Sequence, residues 1–187
     1  MTTLGIDPGT LFTGFGVVER DGKTFRAVDF GVIATNPNDE MPKRLKRIYD
    51  ELSRVIETHK PQRVALETAF YGKNAQSALK LGQARGAAMI LAMNYALPIS
   101  EYAPREVKKA ITGNGNAAKA QVEFMAKKLL SLETETARAD AFDALAIALC
   151  DAFSLSPPRQ TEPRRPAPKA KTWKAFLDAN PHLIASQ

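Results

Sequence analysis

The fold is decided by Thr3-Leu4-Gly5-Ile6-Asp7-Pro8-Gly9-Thr10, where a short apolar strand runs into a Pro-Gly turn and ends on a carboxylate. Two further strand-like segments follow at residues 12–20 and 24–35. Asp21-Gly22 lies between them, and this pair favours the positive φ of a tight hairpin turn. The sequence therefore predicts a sheet that begins antiparallel.

Strands and helices alternate after this hairpin. Apolar residues recur at steps of three and four over 42–59, which predicts a helix with Pro42 in its first turn and Pro61 beyond its end. Such an alternation predicts an α/β fold, a mixed five-stranded sheet flanked by helices. The remaining predicted elements are strands at 63–68 and 99–103 and helices at 74–96, 105–112, 117–130 (capped by Asn116) and 137–153.

The charge of the chain is uneven. The formal net charge is +6, and residues 155–187 supply six Lys or Arg against two acids, so residues 1–154 carry only +2. Prolines separated by basic residues cannot build a core, which predicts one domain over 1–154 and a flexible, Pro-rich basic tail over 155–187. The tail explains most of the pI of about 9.5, so charge alone does not decide between a nucleic-acid-binding and a merely solubilising tail.

Composition also indicates the compartment. Cys150 is the single cysteine, and no signal-peptide pattern opens the chain. The longest uncharged apolar stretch, residues 86–93, is far shorter than the roughly 20 residues that cross a bilayer. We therefore expect a cytoplasmic protein with neither disulfides nor membrane spans.

Four carboxylates occupy positions that a fold could bring together. Asp7 and Glu67 each end an apolar strand, and Asp140 and Asp143 lie three apart on a helix, hence on one face. Acids at buried strand ends need positive partners, and several converging oxygen ligands favour Mg²⁺. Two such ions can promote phosphodiester hydrolysis. Each acid alone has a plainer explanation, as a turn, surface or helix-start residue, and the set does not separate a nuclease from a phosphotransferase.

The helix at 74–96 has an unusual lining of small residues, among them Gly82 and Gly86. Glycine inside a helix costs roughly 1 kcal/mol relative to alanine, so this lining indicates close packing. The partner is either the sheet of the same chain or a second subunit, and the pattern leaves this open. Lys80 and Arg85 are expected on other faces of the helix.

Three motifs in this order resemble the RuvC family of Holliday-junction resolvases, within the RNase H-like superfamily. The first is Gly5 to Thr10 with Thr13-Gly14-Phe15-Gly16-Val17. The second is Lys73-Asn74-Ala75-Gln76-Ser77-Ala78-Leu79-Lys80-Leu81-Gly82-Gln83-Ala84-Arg85-Gly86. The third is Ala139-Asp140-Ala141-Phe142-Asp143-Ala144-Leu145-Ala146-Ile147-Ala148. The resemblance covers about residues 2–153 and leaves the tail out.

The resemblance implies an RNase H-like fold and a homodimeric endonuclease that cuts four-way DNA junctions in recombination and repair. It implies that Asp7, Glu67, Asp140 and Asp143 are catalytic and bind two Mg²⁺ ions per active site, with Mn²⁺ as a possible substitute. Some members carry histidine at the position of Asp140. The family's RuvA and RuvB branch-migration proteins are implied as partners. The DNA-contacting residues expected are Phe70, Tyr71 and Lys73, in the loop after Glu67, and Lys108 and Lys119, near the active site.

Two alternatives compete with this reading. A strand followed by Gly-Ile-Asp-Pro-Gly-Thr also opens actin- and sugar-kinase-type phosphotransferases or ATP-binding domains, but those folds normally use two such domains, and 187 residues leave no room for the second. The other alternative is a DNA-binding module without catalysis, which the presence of all four acids disfavours.

Overall fold

The computed structural model describes residues 1–68, 75–133 and 138–154. One five-stranded sheet, in the order β3-β2-β1-β4-β5, forms the centre of this part of the chain. The strands are β1 (Thr2–Asp7), β2 (Phe12–Asp21), β3 (Thr24–Ala34), β4 (Arg63–Glu67) and β5 (Ile99–Tyr102). The helices are α1 (Met41–His59), α2 (Ala75–Asn94), α3 (Pro104–Thr112), α4 (Lys119–Leu129) and α5 (Ala139–Ser154).

The sheet is mixed, as the sequence predicts. Strands β1, β2 and β3 pair antiparallel, whereas β4 runs parallel to β1 and β5 parallel to β4. The predicted hairpin is confirmed, since Asp21 pairs with Thr24 across the turn and Gly22 has a φ of 59°. Every predicted strand lies within a residue or two of its observed position, because the apolar runs end at strong turn residues.

Helices cover both faces of the sheet. On one face, α1 and α2 pack over Leu4 and Ile6 of β1 in a shared apolar core. On the other face, α3, α4 and α5 pack over Val18 and Ala65. Successive strand residues point to opposite faces, so Leu4 and Ile6 face α1 and α2 while Asp7 belongs to the side covered by α5.

A buried ionic network fixes the C-terminal half of α5 against three strands. Asp151 is fully buried, and its carboxylate lies 2.7 Å from the Nε of Arg63 on β4. The hydroxyls of Thr3 on β1 and Tyr102 on β5 donate to the same carboxylate at 3.1 and 2.9 Å. Because a buried carboxylate without such partners is strongly disfavoured, this network sets the position of α5 on the sheet.

The start of α4 differs from the prediction. The helix begins at Lys119, its N-cap position is Ala118, and Asn116 does not cap it. The side chain of Asn114 accepts a hydrogen bond from the backbone N–H of Asn116 at 3.0 Å, so these residues form a turn of their own ahead of the helix. The predicted tail over 155–187 lies outside the described residues. No helix in the described ranges is both long enough and apolar enough to cross a membrane.

Candidate active site

Asp7 and Glu67 lie side by side at one edge of the sheet. They are the last residues of β1 and β4, which are parallel neighbours with Ile6 opposite Leu66. The carboxyl ends of parallel strands are where α/β sheets place binding and catalytic groups. Two of the four predicted acids are thus brought together by strand register alone.

Three glycines let α5 approach close enough to join them. A Cβ on Gly14 would lie 2.0 Å from the carbonyl oxygen of Asp140, and one on Gly5 would lie 2.2 Å from that of Ala144. Gly16 is packed against Leu145 in the same way. Only residues without a Cβ permit this contact of helix backbone with strand backbone. The first two turns of α5, which carry the second pair of acids, therefore sit directly beside the end of β1.

A cavity of about 290 Å³ joins three of the acids with two of the three predicted lysines. Asp7, Glu67 and Asp143 line it together with Lys108 of α3 and Lys119 of α4. Asp140 is not among the lining residues, although its charge acts on Asp7. The structure therefore places four of the predicted site residues beside Asp7 in one cleft, whereas Asp140 does not line that cleft.

The pKa values of Asp7 and Glu67 are raised by burial and by the neighbouring carboxylates. Burial is the largest cause for Asp7, and the charges of Glu67, Asp143 and Asp140 add to it, which raises the pKa of Asp7 to about 7. Burial and the charge of Asp143 also raise the pKa of Glu67 above its usual range. Buried like charges repel, so positive charge placed near these carboxylates would stabilise them. Such electrostatics are typical of a cation-binding or catalytic site.

Lys119 neutralises part of this negative charge. Its ammonium donates to the Oδ2 of Asp143 at 2.7 Å, and this hydrogen bond raises the pKa of the lysine. The lysine side chain is 76% exposed, so it reaches the cluster from solvent at the start of α4. The positive charge of Lys119 offsets part of the rise in the pKa of Asp7 and of Glu67. The charge of Lys108 offsets part of the rise for Glu67.

Arg85 is a site residue to which the sequence motifs assigned no role. It was expected on a face of α2 other than the small-residue lining, and it lines a second cavity of about 200 Å³ with Asp7 and Glu67. Its guanidinium also forms an ion pair with Glu101 of β5. The available signal was its spacing from Leu81, four residues earlier on the same helix face and a lining residue of the same cavity. Phe70, Tyr71 and Lys73 lie outside the described residues.

The donor set suits a hard divalent cation in its chemistry. Carboxylate oxygens are the ligands that Mg²⁺ and Ca²⁺ prefer, and the raised pKa values of Asp7 and Glu67 show that positive charge is in short supply there. Within the described ranges, however, no three His, Cys, Asp or Glu side chains converge as a ready-made ligand cage. The residues fit a cation that would draw the carboxylates together in competition with Lys119.

A sequence model of the family described as "Crossover junction endodeoxyribonuclease RuvC" matches residues 3–151. The chain belongs to the RuvC family. A RuvC from Chloroherpeton thalassium is 50% identical over 184 residues, covering 98% of this chain and 99% of that protein. One from Geobacter sulfurreducens is 51% identical over 154 residues, covering 82% and 93%.

The solved structures agree with this assignment. The structure of "T. thermophilus RuvC in complex with Holliday junction substrate" matches with a TM-score of 0.78 and 35% identity, over 82% of this chain and 94% of that one. The mixed sheet with flanking helices is therefore the RNase H-like fold of these resolvases, as predicted. These matches lend no support to the actin- or sugar-kinase-type alternative.

Proposed function

We propose that this protein is a structure-selective endonuclease that resolves four-way DNA junctions by paired phosphodiester hydrolysis. Membership of the RuvC family supports the reaction. The observation that carries it to named atoms is the cleft in which Asp7, Glu67 and Asp143 share one surface with Lys108 and Lys119. Carboxylates and lysines in a single cleft suit a reaction in which a phosphate group is both bound and attacked.

The four acids are proposed to hold two divalent ions, Mg²⁺ with Mn²⁺ as a substitute. Asp7 and Glu67 supply ligands from the strand ends, and Asp143 and Asp140 from the first turns of α5. When bound, such ions activate a water molecule and stabilise the leaving oxygen. The protein's own contribution is to present ionised carboxylates on a rigid frame, since the α5 backbone rests on Gly14 and Gly5 without intervening side chains.

The lysines are proposed to bind the DNA backbone. Lys119 can exchange Asp143 for a phosphate oxygen once a cation neutralises that carboxylate, because its side chain is largely exposed. Lys108 lies in the same cleft on α3. Phe70, Tyr71 and Lys73 are proposed to stack on exposed bases and contact phosphate at the junction, as the family resemblance implies.

We propose a homodimer that uses the outer face of α2. Leu79, Ile90 and Met93 are 71, 61 and 67% exposed. A Cβ added to Gly82 or Gly86 would meet no atom of the described residues within 4 Å. These five residues follow steps of three and four, so they form one apolar stripe with small residues at its centre. The two glycines thus do not pack against residues 1–68, 75–133 or 138–154 of their own chain, and the stripe suits a second copy of the helix. Leu79→Glu should convert dimers to monomers in sedimentation, and any fall in the melting temperature should be no larger than the loss of subunit association explains.

RuvA and RuvB are proposed partners on family grounds. We place the protein in the cytoplasm, where the DNA of bacterial relatives lies. The basic tail over 155–187 is proposed as a flexible appendage to the domain over 1–154.

Incision of a synthetic junction tests the proposal. We expect symmetrical nicks in strands of like polarity with Mg²⁺ and none with EDTA, while a linear duplex of the same sequence stays intact. Cleavage of duplex and junction at equal rates would contradict structure selectivity. Turnover of ATP without DNA would instead revive the phosphotransferase reading.

A further inference from the structure

A second groove lies beside the carboxylate cleft and differs from it in charge. It has a volume of about 560 Å³ and is formed by the turn after β1, the first turn of α1 and the first turns of α2. Leu81 lines both this groove and the cavity that contains Asp7 and Glu67, so the two are neighbours. Its lining residues are Thr10, Leu11, Pro37, Arg44, Ser77, Lys80 and Leu81, among which there is no acid.

Arg44 brings a buried positive charge to this groove. The residue is only 8% exposed, and its Nε donates to the carbonyl of Thr10 at 3.0 Å and to the hydroxyl of Thr35 at 3.2 Å. Its Nη2 also donates to the Thr10 carbonyl. The remaining nitrogen, Nη1, has no hydrogen-bond partner among the described residues, yet it is not sealed from solvent. A guanidinium held this firmly with one free edge is prepared to bind an anion.

Lys80 supplies a second positive charge. It is exposed on α2 and lines the same groove as Arg44. Neither cation has a carboxylate within 4.0 Å in the described part of the chain. Two other basic residues near the site do have such a partner: Lys119 binds Asp143, and Arg85 binds Glu101. The groove is therefore a place where charge compensation is missing.

We propose that Arg44 and Lys80 bind a backbone phosphodiester near the scissile one, on the same DNA strand. Thr10 is three residues from Asp7, so a strand whose scissile phosphate lies at the carboxylates can continue over the turn into this groove. The fixed guanidinium sets the position of that phosphate and Lys80 adds electrostatic attraction. This inference rests on the proposed function and extends the DNA path to the side of the sheet covered by α1 and α2.

Lys80→Ala tests it, because the side chain is exposed and its loss leaves the core intact. The matched control is Lys23→Ala, which removes the same charge in the β2–β3 hairpin, at the end of the sheet opposite Asp7. Junction affinity is measured by fluorescence anisotropy without a cleaving metal over a range of KCl concentrations. Loss of one phosphate contact should reduce the slope of log K against log[KCl] by roughly 0.7 to 0.9. We expect that change for Lys80→Ala, with affinity roughly two- to fivefold weaker, and none for Lys23→Ala.

Neutral methylphosphonates at single positions flanking the cut identify the phosphate. At one position the affinity difference between wild type and Lys80→Ala should vanish, since the lysine's partner has lost its charge. No coupling at any flanking position, or equal slopes for Lys80→Ala and wild type, would overturn the proposal. The proposed function fails separately, if the wild-type protein does not cut the junction with Mg²⁺.

Discussion

Asp7→Asn is predicted to stabilise the metal-free protein at alkaline pH. The pKa of Asp7 is about 7 in the folded state against 3.8 as the model value for the unfolded chain. Between these pH values the folded state binds more protons than the unfolded state, so stability is present below the unfolded pKa and is lost as pH rises through about 7. At 1.36 kcal/mol per pKa unit the loss is roughly 4 kcal/mol as an upper limit, and we expect about 1–3 kcal/mol after the cluster relaxes.

Urea unfolding in EDTA at pH 8 and pH 5 measures this effect. Asparagine cannot ionise, so the variant should be more stable than the wild type at pH 8, and the difference should shrink at pH 5, where Asp7 is already protonated. Mg²⁺ at saturation should stabilise the wild type more than the variant. Asp39→Asn, in an exposed loop, serves as the control. An equal difference at both pH values, or a variant less stable at pH 8, would refute the reasoning about mutual repulsion.

Two further substitutions test how α5 is placed. Gly14→Ala should lower stability by about 1–3 kcal/mol and reduce junction cleavage at least tenfold, because its Cβ would force the Asp140 backbone away from the sheet. Asp151→Asn should cost about 3–5 kcal/mol in urea unfolding, since Arg63 would keep a buried charge without its carboxylate. A Gly14→Ala protein of wild-type activity, or an Asp151→Asn protein of wild-type stability, would contradict the respective argument.

Local patterns predict most of this fold. Apolar periodicity and turn residues are properties of neighbouring residues, so β1, the hairpin at Gly22 and α1 are found within a residue or two. The prediction that Asn116 caps α4 was wrong, because the side chain of Asn114 accepts a hydrogen bond from Asn116 and forms a competing turn. A short polar residue before a helix does not show which of two turns its neighbours will favour.

Long-range geometry explains the rest. Thr3 and Asp151 are 148 residues apart in sequence, and nothing around either predicts that they share a hydrogen bond. The glycines of β1 and β2 can be read from the sequence. Their close contact with the α5 backbone cannot be predicted until the position of that helix on the sheet is known. The acids were predicted as a set because strand ends and helix spacing converge on one edge. Arg85 was not predicted as a site residue, since the direction of its side chain depends on the rotation of α2 about its own axis on the sheet.

Cleavage by three charge-neutral variants tests the central claim, that the strand-end acids and α5 form one DNA-cutting centre. Asp7→Asn, Glu67→Gln and Asp143→Asn are each assayed on a synthetic four-way junction with Mg²⁺, and junction binding is measured in parallel by anisotropy without a cleaving metal. We expect cleavage to be abolished in all three while binding stays largely intact. A variant that binds and cuts at the wild-type rate would remove that carboxylate from the centre, and three such variants would contradict the account.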